Sequence, residues 1–422
     1  MTTGKFGASL LAMVALAGSV VAADPASSVG VAAAGWPQWR GPDRDGISKE
    51  KGILADWSKP PARLWLVTTS GSGYAGPAVV GGVIYIAGSS GKARVGILEA
   101  RNATDGLLKW QYEYGPEWGS NYESARTTPT VADGRIYLVS GMGLVVCVNA
   151  TDGQKVWSVN TFERFKGRNI TWGIAESPLL VGKKLICHPG GPDAAVAALD
   201  IATGETIWTT KGLGDASAYN SPALLTLNGR KQIVTQTAEN VVGIDPETGV
   251  VLWKFPHKNK YSVHANTPVM VGPDLVVVSS GYGYGTECLQ INAEGAKRVW
   301  QVQNADNHFH GMLLIDKRLY LAASSGPLFC LDPLKGTVLS RIEGVTRASI
   351  IGTEAGIIAY DETNGKGKIA LIKLDGDKGL VTGSFPVDFG FGQHWAQPVL
   401  ADGVLYVRHG DGLAAYDLKA QK

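Results

Sequence analysis

Cysteine is scarce in this 422-residue chain, and the four present, Cys147, Cys187, Cys288 and Cys330, are scattered. No Cys-x-x-Cys or Cys-x-x-Cys-His occurs, which excludes thioredoxin-like chemistry and covalent haem attachment. None precedes Cys147, so lipid attachment at a processed N-terminal cysteine is not expected. Charge is equally sparse: 18% of residues are charged, and 39 Lys and Arg against 37 Asp and Glu leave +2. Without a basic run or excess, nothing speaks for nucleic acid as a partner. There is one long apolar run, Phe6 to Val21, following Lys5 and ending in Val21-Ala22-Ala23 before Asp24. It is short and Gly-containing, with small residues at its end, and reads as an export signal over 1–23. A periplasmic or secreted mature chain with no transmembrane segment is the expectation.

Glycine and tryptophan, by contrast, are plentiful at 55 and 12 residues. Trp65, Trp110, Trp157, Trp208, Trp253 and Trp300 are separated by 45, 47, 51, 45 and 47 residues. Most close a recurring phrase, as in Asn149-Ala-Thr-Asp-Gly-Gln-Lys-Val-Trp157 and Asp200-Ile-Ala-Thr-Gly-Glu-Thr-Ile-Trp208. A period of this length marks stacked or radial repeats. Each repeat opens on an apolar run entered by Pro77, Pro129, Pro178, Pro222, Pro268 or Pro398, with Met312 and Ile350 completing a count of eight. Within a repeat, Pro129-Thr-Val-Ala-Asp-Gly-Arg-Ile-Tyr-Leu-Val alternates β-branched and aromatic residues around Asp-Gly, a hairpin signature. Two further runs follow, so the expected unit is a four-stranded propeller blade.

The fold class is therefore all-β, an eight-bladed propeller over 62–418. Trp65 lacks inner strands before it and the last repeat lacks its Trp strand, so the N-terminal strand is expected to close the last blade. Ser340 and Gly383 stand where Trp is expected, marking two degenerate blades. Residues 24–61 form a Pro- and Gly-rich leader with Trp36-Pro-Gln-Trp-Arg-Gly-Pro42, expected to be pinned by Trp36 and Trp39 with Arg40 or Arg44 pairing locally.

The repeated Ala/Asp-x-x-Thr-Gly-x-x-x-Trp phrase and this leader resemble the pyrroloquinoline-quinone-like (PQQ-like) β-propeller repeat family. The resemblance covers Trp65 to Asp417. It implies either of two roles. One is that of quinoprotein alcohol dehydrogenases, whose ring holds PQQ and usually calcium. The other is that of non-catalytic members such as the outer-membrane assembly lipoproteins. The adjacent Cys-Cys pair of many quinoprotein dehydrogenases is absent, and no cytochrome domain is fused. The chain is also shorter than typical catalytic members. A binding or assembly module for a protein or small ligand is thus the first reading, and a PQQ- and calcium-dependent dehydrogenase oxidising an alcohol or sugar the alternative.

Loops before each innermost strand converge on a propeller axis. They carry Tyr74; Asn121, Tyr122, Glu123 and Arg126; Trp172 and Glu176; Tyr219 and Asn220; His264 and Asn266; Asp306, His308 and His310; Arg347; and His394, Trp395 and Gln397. For a quinoprotein the chemistry asks for hard oxygen ligands, a base, a cation and an aromatic floor. Glu176 and Asn266 would supply calcium ligands, Asp306 the base, Arg347 the cation, and Trp172 or Trp395 the stacking surface. A second metal reading groups His308 and His310 with His264 and His394.

Overall fold

The computed structural model describes residues 1, 2, 4, 35–91, 94–362 and 365–420. Apart from residues 1, 2 and 4, the expected signal segment lies outside the described residues. Six antiparallel sheets have four strands each, and a seventh sheet joins seven strands. Each four-stranded sheet is consecutive in sequence, as in Thr130–Ala132, Arg135–Val139, Leu144–Asn149 and Lys155–Asn160. The short first strands abut their neighbours: Ala78–Val80 meets both Thr130–Ala132 and Val399–Ala401, and Met312–Ile315 meets Val269–Gly272 and Ala348–Thr353. They form the innermost ring. The 51-residue Trp interval has a local cause, because the helix Thr161–Phe165 is inserted after Trp157, its N-terminus capped by Asn160.

The core lies between sheets rather than within one layer. In Leu144–Asn149, Val145 and Cys147 pack toward the following sheet with Leu185 and Leu199, while Val146 and Val148 pack toward the preceding one with Tyr85 and Leu98. Alternation along a strand therefore buries both faces. Each such aliphatic side chain contributes about 1.5–3 kcal/mol of hydrophobic stabilisation.

The repeated phrase explains itself at the contact between neighbours. Its Asn or Asp side chain accepts amides two or three residues on, as Asp200 Oδ1 does from Ala202 N at 2.8 Å and Thr203 N at 3.0 Å. Its glycine has φ near +70° and lies beneath the tryptophan of the preceding repeat. A Cβ on Gly153 would fall 2.5 Å from Trp110, and one on Gly204 2.8 Å from Trp157. The indole N–H then donates to the carbonyl of the same neighbouring turn: Trp110 to Ala150, Trp157 to Ile201, Trp208 to Pro246 and Trp300 to Pro333, at 3.0–3.3 Å. Opposite each indole sits a small residue followed by a register shift, Ala100, Cys147, Ala198, Gly243 and Cys288 among them. Three of the cysteines are such residues: Cys147, Cys288, and Cys330 opposite Ser340. All four are buried free thiols, and burial pushes Cys147 up to about 11 and Cys288 up to about 12.

The two irregular repeats are filled by other means. Ser340 donates its hydroxyl to the Asp377 carbonyl of the next repeat, the bond an indole makes elsewhere. At Gly383 the register matches that of the tryptophans, and the vacancy is taken by leader residue Trp57, whose Cβ would meet a Gly383 side chain at 2.5 Å. Trp253 departs in the other direction, donating to Gln232 Oε1 at 2.7 Å, because the following turn Asn292–Gly295 is too short to reach it.

Strand Arg63–Gly73 pairs antiparallel with Val404–Asp417, joining the two ends of the repeat array. The leader reaches further than expected. Trp36 exchanges backbone bonds with Val79, Pro37 accepts from Val131 N, and Ser48 N donates to Gly352. Arg44 donates to the Ser177 and Pro178 carbonyls at 2.9 and 3.2 Å, Trp39 Nε1 to Thr267 at 3.0 Å, and Arg40 to the Met312 carbonyl. The local pairing expected of Arg40 or Arg44 is present, Arg40 reaching Asp45 and Arg44 reaching Gln38, and both side chains reach further as well, each crossing to a distant sheet. Both guanidiniums are buried, which draws them down to about 10 and about 9.

Candidate binding site

Above this leader lies a cavity of about 640 Å3 whose lining includes Trp39 from the leader and Tyr74, Tyr122, Arg126, Trp172, Tyr219, Asp306, His308, Arg347 and Trp395 from the loops ahead of inner strands. Nine expected positions therefore converge on one space. Its wall is a chain of ring contacts. Trp395 meets Tyr74 at 5.0 Å, Tyr122 at 5.1 Å and Phe309 at 5.3 Å between centroids. Phe309 continues to His308 at 4.9 Å, His308 to Tyr282 at 4.7 Å and Tyr282 to Tyr261 at 4.6 Å. Tyr261 meets Trp172, which meets Tyr219 at 6.1 Å. Offset and edge-on pairs of this kind are favourable beyond their buried area.

Several of these residues hold a backbone that side chains resist. Tyr122, Tyr219, Tyr282 and Arg347 have φ of 55°, 74°, 60° and 49°. Left-handed backbone at a bulky residue costs on the order of 1–3 kcal/mol and persists where surroundings enforce it, often at binding sites. Arg126 supplies part of that enforcement. Its guanidinium donates to the Trp172 and Tyr122 carbonyls, tying two walls of the cavity together. Burial lowers its pKa. Arg347 Nε lies 2.5 Å from Glu362 Oε1, and burial raises the Glu362 carboxyl above its ordinary range. His308 is drawn down to about 4 by burial and then by Arg347, so it enters the wall as a neutral ring. Asp306 Oδ2 accepts Gly283 N at 2.9 Å.

The remaining expected positions belong to the scaffold. Glu176 accepts His188 N at 2.8 Å through one oxygen and bonds His188 Nδ1 through the other, and His188 Nε2 reaches Thr235 at 2.8 Å. Asn266 donates to the Asn307 carbonyl at 2.6 Å and accepts Gly311 N at 3.2 Å, fixing the loop that carries His308 and Phe309. Both are about 1% exposed. A calcium ion wants six to eight oxygens, and these two side chains already spend theirs on the protein, so the donor set does not fit. The histidine grouping is not assembled either: His264 meets His257 with tilted rings at 4.6 Å, and His394 stacks on His409 at 3.7 Å. Among the described residues no three His, Cys, Asp or Glu side chains are placed to hold a metal ion.

Reading loops ahead of inner strands missed Trp39, Tyr261, Tyr282, Phe309, Ser324 and Ser325, of which all but Tyr261 are lining residues. Tyr282 sits between second and third strands, where the run Gly281-Tyr-Gly-Tyr-Gly285 was the available signal. A second, more polar cavity of about 600 Å3 adjoins the first and shares Tyr74 and Tyr122 with it. It adds Arg94, Asn121, Glu123 and Phe391.

These features define an all-β protein of propeller blades with an aromatic cavity lined in part by the leader residue Trp39. The backbone resembles that of BamB from Moraxella catarrhalis, at a TM-score of 0.61 and 13% identity over 85% of this chain and 99% of that one. It also resembles the quinohemoprotein alcohol dehydrogenase of Comamonas testosteroni, at 0.66 and 13% over 93% and 82%. At such identities the likeness is one of fold. Residues 96–341, more than half the chain, match the family model described as outer membrane protein assembly factor BamB, and the chain belongs to that family. Among curated relatives, BamB of Shewanella oneidensis is 25% identical over 67% of each chain. The quinoprotein alcohol dehydrogenase PedH of Pseudomonas putida is 26% identical over 38% of this chain and 27% of its own. No helix among the described residues is long and apolar enough to cross a membrane.

Proposed function

We propose that this chain is an exported, periplasmic eight-bladed propeller that serves as a polypeptide-binding module in protein assembly, holding its partner at the aromatic cavity. The seven-stranded sheet is read as two blades joined along Arg63–Gly73, and the indole contacts as a docking motif between blades. The observation that carries the reading is the cavity wall: contiguous aromatic faces, backbone-strained and braced by Arg126, with carboxylates engaged inside the protein. Such a wall binds apolar and aromatic side chains and offers few groups for chemistry. Membership of the assembly-factor family supports the same reading. The test is a titration of the mature protein with an unfolded outer-membrane protein kept soluble in dilute urea. Trp172→Ala and Trp395→Ala should each weaken capture about tenfold or more while melting within a few degrees of the parent. Equal capture by the double variant would refute the placement.

A dehydrogenase remains the second reading, favoured by the planar aromatic walls and by Arg347 and Asp306 at the same cavity. Asp306 would there be the base, and Arg347, Trp172 and Trp395 the quinone neighbours, with Glu176 and Asn266 required to release their present bonds. Calorimetry with PQQ, with and without calcium, separates the two: tight calcium-dependent binding selects the dehydrogenase.

A further inference from the structure

The two adjoining cavities are unlike each other, and that difference bears on what crosses them. The first is walled mainly by aromatic faces, with Arg126, Asp306 and Arg347 among them, and the second mainly by polar residues such as Arg94, Asn121 and Glu123 beside Phe391, with Tyr74 and Tyr122 as the shared ridge. The ridge is built rather than incidental. Tyr122 is left-handed at φ 55°, Ser124 at 116°, and Arg126 holds the Tyr122 carbonyl. Ser124 is tied to strand Arg63–Gly73 through Ser72 Oγ at 3.0 Å. Tyr122 is 51% exposed, so its ring stands free on the side away from Trp395.

We infer that the ligand of this region is a single extended polypeptide segment crossing the Tyr74–Tyr122 ridge, with an aromatic side chain in the first cavity and polar or charged neighbours in the second. The inference rests on the polypeptide-binding reading above and makes it specific. A homopolymer such as a glycan presents the same ring at every step and would be matched by like subsites. Adjacent subsites of unequal character, one mainly aromatic and one mainly polar, match a heteropolymer whose successive side chains differ. An extended chain advances about 3.3 Å per residue and alternates its side chains, so one strand spans two neighbouring pockets without folding back. The second cavity carries both a cation and an anion, Arg94 and Glu123, and so suits a mixed polar sequence rather than a polyanion.

The test uses synthetic peptides and the full mature protein. The probes are an eight-residue peptide with one phenylalanine among serine, lysine and glutamate, its Phe→Ala version, a three-residue peptide centred on phenylalanine, and cellohexaose. The eight-residue peptide should bind, and should lose about tenfold or more in affinity on Phe→Ala, in Trp395→Ala protein and in Arg94→Ala/Glu123→Ala protein. The three-residue peptide should be weakened by Trp395→Ala and indifferent to Arg94→Ala/Glu123→Ala, since it does not cross the ridge. Both variants must melt like the parent. Should side-chain loss in the second cavity leave the long peptide unaffected, or cellohexaose bind and displace it, the inference is overturned. If no short peptide binds while unfolded polypeptide still needs Trp172 and Trp395, this inference fails and the broader reading stands. If polypeptide capture also ignores those tryptophans, both fail.

Discussion

At the scale of single residues, the glycine under each indole does two separable things. Gly153 and Gly134 share φ 71° in the same repeat, but a Cβ on Gly153 would strike Trp110 at 2.5 Å whereas one on Gly134 would meet nothing within 4 Å. Gly134→Ala should cost about 1 kcal/mol, the left-handed backbone alone. Gly153→Ala should cost a further 1–3 kcal/mol or so from overpacking against Trp110, and urea unfolding of the pair measures the difference. Histidine gives a second residue-scale expectation. His308 and His394 are both depressed to about 4, by burial first and then by Arg347 and His409 respectively. An unfolded histidine titrates near 6.5, so between pH 6.5 and 4 the unfolded chain binds more protons than the folded one. The stability that neutral rings contribute is whole above pH 6.5 and is lost as pH falls toward 4. The melting temperature should fall over that window, and less steeply in His394→Asn; an equal slope in the variant would contradict the assignment.

At the scale of elements, the leader behaves as part of the blades. Trp57 is buried, packs on Phe385 at 5.8 Å and occupies the place that Gly383 leaves open. Trp57→Ala should therefore cost about 3–5 kcal/mol, as for a large core aromatic, although it lies outside every repeat. Denaturant unfolding checks this, and a loss below about 1 kcal/mol would show the leader to be only loosely attached. The same element shows what could be read in the sequence. The Trp period and the Asx-x-x-Thr-Gly phrase were legible because turn chemistry and a buried indole are local demands, repeated in each blade. Gly383 was misleading, since the residue that completes it comes from more than 300 positions earlier in the chain. Likewise Arg40 and Arg44 carry no local signal for carbonyl partners on distant sheets.

At the scale of the whole molecule, inner strands converge and bring distant loops to one cavity, which is why order along the chain identified Tyr74, Tyr122, Trp172, Tyr219, Asp306, His308, Arg347 and Trp395 together. Which polar residues face the cavity and which brace the scaffold was not legible. Glu176 and Asn266 immediately follow the lining residues Ala175 and Ala265, and only packing shows that His188 and the loop at Asn307 claim them. Floor and rim came from outside the loops considered, from Trp39 of the leader and from Tyr282. The measurement that bears most directly on the cavity as the docking place is photo-crosslinking. A benzophenone side chain would be placed at Ser325 in the cavity or at exposed Lys109 on an outer strand, with an unfolded outer-membrane protein as partner. The account predicts crosslinks from Ser325 that free eight-residue peptide suppresses and few from Lys109; crosslinks from Lys109 alone would contradict it.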